Sequence, residues 1–166
     1  MPTPILEQIA QWHYAMIASI TEANGYAQTL GATRPEELQL AGDATTDLTA
    51  VCAIGNSAME DVANEDAEHF CWQVQFDCVV TILGKGTTST VVDTRITQII
   101  ADIHRRIGTE LLTADMSKHA PYCGGLAYDI RPLPWEIVVD TATQATLVSI
   151  PVRISFEVSK TNPYSQ

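Results

Sequence analysis

The chain has 166 residues, 46% of them apolar and 17% charged, with a formal net charge of −11. That length suits one domain, 1–166, and the apolar share suits a globular core. No run approaches about 18 consecutive apolar residues, which excludes a membrane-spanning helix, and nine Lys and Arg against twenty Asp and Glu argue against a basic nucleic-acid-binding surface.

The first segment reads as a helix. Ile5, Ile9, Trp12, Met16 and Ile20 form one apolar stripe at helical spacing. Thr3 is placed to cap it with Pro4 at the first helical position, and Asn24-Gly25 is placed to close it. Residues 26–30 suggest a short strand. Residues 31–48 have turn and capping residues without a period, and residues 49–55, TAVCAIG, suggest a short apolar strand.

Charge then concentrates. Residues 35–84 hold ten acids and no base, and half of those acids lie in MEDVANEDAE, 59–68, read here as an acidic loop. Such a segment repels a nucleic-acid backbone and attracts a basic partner, although a solvated loop that merely aids solubility accounts for the same composition.

Residues 69–83, HFCWQVQFDCVVTIL, alternate almost without interruption. Phe70, Trp72, Val74, Phe76, Cys78, Val80 and Ile82 fall on one face, with Phe70, Trp72 and Phe76 the expected core anchors. Gln73, Gln75 and Asp77 fall on the other, toward water, a neighbour or a lumen. Extended, the segment runs about 50 Å at about 3.4 Å per residue, well beyond the usual strand of about 5–6 residues. Either it is one long strand, or a bulge breaks it into two ordinary pieces.

A turn at GKG, 84–86, leads to cap candidates at 87–90 and a second helix over 91–107. Its stripe is Val92, Ile96, Ile99, Ile100, Ile103 and Ile107. Asp102 is spaced to pair with Arg106, and Gly108 is a plausible stop. Residues 109–125 read as a loop. Residues 126–130 alternate, and two prolines in PLPWEIVVD, 132–140, argue for an edge or a bend. The last long alternation, 145–160, puts Val148, Ile150, Val152, Ile154, Phe156 and Val158 on one face. Pro151 lacks a ladder donor, which predicts a bulge there or an edge position. The sum is α+β: a mainly antiparallel sheet with long strands and two amphipathic helices packed on one face.

Motifs for chemistry are sparse. GKGTTST follows a strand and precedes a helix, but Val79 stands where a phosphate-binding loop needs Gly and Gly86 where it needs Ser or Thr. His69, Cys71, His119 and Cys123 could be imagined around zinc, yet their spacing fits no familiar zinc module. Cys52, Cys71, Cys78 and Cys123 read as free thiols, mostly buried. His13 beside Trp12 reads as a helix-flank residue. No catalytic, metal or cofactor residues emerge, so no enzyme activity is expected.

The order of elements carries a resemblance. The opening helix ends in Asn24-Gly25-Tyr26; a long strand precedes a helix containing TRITQIIADIHRRIG, 94–108; the chain closes on VSIPVRISFEVSK and an Asn162-Pro163-Tyr164 tail. This pattern resembles the tail terminator (tail completion, minor tail) proteins of long-tailed bacteriophages. The resemblance implies an α+β subunit that assembles into a hexameric ring, caps the tail tube protein, ends polymerisation and offers a surface to a head-completion or connector protein. DNA passes through such a ring without specific binding, and no cofactor is implied. The implied location is the virion's head–tail junction, after assembly in the host cytoplasm. Candidate lumen or partner residues are Glu60, Asp61, Glu65, Asp66, Glu68, Gln73, Gln75 and Asp77. Another neck or tube component, or a small-molecule-binding or enzymatic α+β domain, remains the alternative from sequence.

Overall fold

The computed structural model describes residues 2–33, 48–60, 68–83, 89–140, 145–162 and 164. Helix α1 spans Ile5–Ala18, a 3-10 turn Glu22–Asn24, and helix α2 Ser89–Thr113. The strands are β1 (Gly31–Thr33), β2 (Leu48–Glu60), β3 (His69–Leu83), β4 (Asp129–Pro132), β5 (Glu136–Asp140) and β6 (Ala145–Ser159). They form one six-stranded sheet in the order β1-β2-β3-β6-β4, with β5 also on β6. Among the described strands only the β1–β2 pair is parallel. The α+β expectation holds.

Both helices cover the same face. Helix α1 packs over β1, β2 and β3, while α2 packs on β4 and β6. The core lies between the layers. From the sheet come Val74, Phe76, Cys78, Val80, Ile82, Val148, Ile150, Val152, Ile154 and Phe156, and from the helices Ile5, Ile9, Met16, Ile17, Ile96, Ile99, Ile103 and Ile107. Two strictly alternating strands and two helical stripes therefore meet as one apolar layer, the arrangement that removes most apolar area from water.

Strand β3 is unbroken. It pairs with β6 in constant register from His69↔Ser159 to Leu83↔Ala145. The bulge falls instead in β2, between Ile54 and Ser57, where one extra residue opposes β3. Burial is uneven along β3: Phe76 is in the core, Trp72 only packs against it, and Phe70 is 39% exposed with the Lys160 ammonium 5.4 Å from its ring centre. Of the three expected anchors, only Phe76 is one, because the cover over this face thins toward the start of β3.

Pro151 sits in an interior strand, contrary to the edge alternative. Its carbonyl accepts from Leu133 N–H at 2.9 Å, so its missing donor also points toward β4 and β5. There the two short strands are interrupted by residues 133–135, three residues opposing two of β6. The irregularity that proline demands is carried by the neighbour.

Several local expectations are corrected. Helix α1 has Pro4 at its N-cap with no side-chain cap and ends at Ala18. Gly25, at φ 80°, closes the 3-10 turn that Thr21 caps. Residues 26–30 form no strand; the short strand is β1. Gly108 does not stop α2, which continues to Thr113: a mid-helix Gly costs about 1 kcal/mol, and Leu111 beyond it still packs on the core. The predicted 109–125 loop is thus helical at first, and its turn lies at Cys123, Gly124 and Gly125, all at positive φ, inside the Tyr122–Ala127 bridge. Asp102 does not pair with Arg106. It is buried, and its Oδ2 accepts from the backbone N–H groups of Ala27 (2.9 Å) and Gln28 (3.1 Å), tying α2 to the segment after α1. Arg106 turns to Ser19 Oγ and Glu110. His13 is a core residue packed at 5.6 Å from the Phe76 ring, and its Nε2 has no hydrogen-bond partner.

Candidate functional site

With the helices on one face, the sheet keeps a second face of different composition. Alternation sends Cys71, Gln73, Gln75, Asp77, Val79 and Thr81 of β3 there, beside Ser149, Arg153, Ser155 and Glu157 of β6. Gln73, Gln75 and Asp77 are half-buried on this face, so the sequence placed them on the correct side. Gln75 Nε2 donates to Asp77 Oδ1 at 2.8 Å. Gly55 passes close over the same carboxylate: a Cβ there would lie 2.5 Å from Asp77 Oδ2. The two polar side chains are held in place, and the bulge of β2 requires glycine at this approach.

The acidic set is brought together less completely. Glu60 is the last residue of β2, opposite Cys71, and Met59 pairs with Trp72. The first two residues of the expected acidic loop are therefore strand, because β3's length offers β2 a template for a longer ladder. Glu68 is exposed, and its carbonyl accepts from Lys160 N–H. Asp61, Glu65 and Asp66 lie outside the described residues.

The imagined zinc ligands do not converge. Cys123 is buried with its N–H on Glu110 Oε1, while His119 Nε2 sits 3.1 Å from Glu157 Oε2. Cys71 Sγ approaches the other oxygen of Glu157 at 3.9 Å. Among the described residues no group of three or more His, Cys, Asp or Glu is arranged to hold a metal ion. Burial raises the Cys123 thiol far above its usual range, with Glu110 adding to it. The Cys78 thiol is pushed up by its hydrogen bond with Cys52, then by burial. Both are protonated thiols without nucleophilic character at neutral pH.

The edge that the two prolines of 132–140 suggested is β5, outermost beside β6; what sequence reasoning missed is that its apolar side chains stay exposed. Ile137, Val138 and Val139 are 40%, 54% and 65% exposed, and Trp135 beside them is exposed too. Among the described residues no strand pairs with β5 on its outer side. An edge with unpaired backbone and apolar side chains on both faces is a template for another strand. The signal was present in IVV, but a run of three apolar residues reads equally as buried strand; only the folded arrangement shows that the edge leaves them exposed.

No described helix is long and apolar enough to cross a membrane. Comparison with known proteins adds no relative: no family model and no curated protein matches the chain.

Proposed function

We propose that the chain is a structural subunit of a phage virion, a tail-terminator-like protein that assembles as a ring, hexameric by resemblance, on the tail tube and presents a surface to the head-completion or connector protein. The observation that carries the reading is the sheet itself. Three strands of 13 to 15 residues form a ribbon longer than its helical cover, and among the described residues its outer edge is left apolar and unpaired. A chain that buries most of two helical stripes yet exposes Trp135, Ile137, Val138 and Val139 together has the surface of a part made to contact other parts. The reading includes no catalytic or cofactor role.

Within this reading the acidic segment has one of two places. Toward the bore, it keeps the anionic DNA backbone from adhering during passage. Toward the head, it docks on a basic patch of the connector. Neutralising Glu60, Asp61, Glu65, Asp66 and Glu68 separates them. Lost head joining with intact tails supports docking, slow DNA release with normal joining supports the bore, and full infectivity defeats both. The ring reading itself is tested by incubating the purified protein with tail tubes and imaging in negative stain. Caps on tube ends support it; bare tubes beside free monomer overturn it.

A further inference from the structure

The backbone register identifies which groups the two sheet edges leave open. Pro151 turns its carbonyl toward β4 and β5, so the odd residues of β6 all face that side. Glu136 and Val138, opposite Ser149 and Leu147, therefore spend their N–H and C=O groups on β6. Ile137 and Val139 point theirs outward.

Among the described residues the opposite edge of the sheet is open as well. Asp77 is not bonded to Pro151, so its backbone groups face β2 and engage Ala53. Ile54, the next residue, turns its N–H and C=O outward. Strand β1 covers β2 only at Thr49–Val51, so among the described residues nothing pairs with β2 beyond that point. Ile54 is 47% exposed. It lies on the helix-covered face, opposite Phe76, as Ile137 does opposite Val148 and Val139 opposite Thr146.

We infer that β5 of one copy pairs antiparallel with the free edge of β2 in a second copy, so that the sheet continues from subunit to subunit. This deepens the ring reading and rests on it. Three observations select this occupant. Strand directions alternate from β2 to β5, so a second sheet of the same orientation presents its β2 antiparallel to β5. Pairing β5 with another β5 across a two-fold centred on Val138 would set Glu136 opposite Asp140 twice, and like charges directly opposite are destabilising. Residues 49–59 of β2 carry no charge, so those acids meet no like charge there. A register with Val139 opposite Ile54 keeps β5 clear of the partner's β1 and adds these side chains to the apolar stripe beside the helices. Joining different edges is a heterologous contact, which closes into a ring when the rotation from copy to copy closes and otherwise runs on as a filament.

The test uses two single changes, Ile54→Cys and Val139→Cys, each in a Cys71→Ser background, oxidised with glutathione disulfide separately and mixed. The expected result is a cross-linked dimer in the mixture and little in either protein alone. Val139→Cys cross-linking to itself as readily as to Ile54→Cys overturns the proposal. In parallel, Ile137→Lys/Val139→Lys is compared with wild type by sedimentation. Both positions are exposed, so the circular dichroism spectrum stays unchanged, while self-association weakens more than about tenfold. Wild-type-like assembly of this variant overturns the edge pairing and leaves the ring standing. A wild-type chain that never assembles, alone or on tubes, overturns the ring reading as well.

Discussion

Strands β6 and β5 are neighbours built from the same kinds of residue, and they have opposite fates. Val148 and Ile150 in β6 are fully buried, whereas Val138 and Val139 in β5, the strand paired with β6, are among the most exposed apolar residues described. Nothing in the side chains separates them. Position in the sheet does: β6 has strands on both sides and helices above, while β5, among the described residues, pairs only with β6 and has little cover. Hydrophobicity thus states what a segment can bury, and topology states whether its own chain does the burying or leaves the surface for another.

Substitutions in the two regions should respond differently. The largest effect is expected inside. Phe76→Ala, in the fully buried layer against His13, should lower unfolding stability by about 3–5 kcal/mol in denaturant titration, whatever the state of assembly. Asp102→Ala should follow at about 2–4 kcal/mol, because it strands the N–H groups of Ala27 and Gln28. Asp102→Asn keeps an acceptor oxygen and should recover part of that loss. Gly55→Val, driven into the Asp77 carboxylate, should destabilise by about 1–3 kcal/mol; Asp77→Ala in the same chain should relieve much of it, a coupling that a double-mutant cycle measures. The smallest effect on folding is expected at the edge. Val139→Thr should stay within about 0.5 kcal/mol in stability while measurably weakening self-association. A large folding loss at Val139 would erase the distinction between the two strands.

What was legible in the sequence follows the same line. The alternation over 69–83 and 145–160 and the stripes of α1 and α2 were readable because burial against one dominant face imposes a period on the chain; that β3 runs unbroken and that β6 passes Pro151 without a bulge were left open or misread. The end of α2 was not, because Leu111 outweighs a single glycine. Asp102 was misassigned because i,i+4 spacing is local, whereas its partners lie some 75 residues away in sequence. His13 was misread for the same reason: its burial against Phe76 arises only when α1 docks on the sheet. Of the candidate site, Gln73, Gln75 and Asp77 were placed on the face away from the helices by alternation alone. An edge or a bend at β5 was readable from its two prolines; that its apolar side chains stay exposed was not, because no local pattern encodes what covers them.

The most direct test of the central claim is cross-linking between copies carrying Ile54→Cys and Val139→Cys, with mass read by gel and by light scattering. Sheet-to-sheet addition predicts mixed dimers that grow into closed rings when both cysteines are on one chain. Random or self-directed cross-links, in a protein that stays monomeric and leaves tail tubes bare, would contradict it.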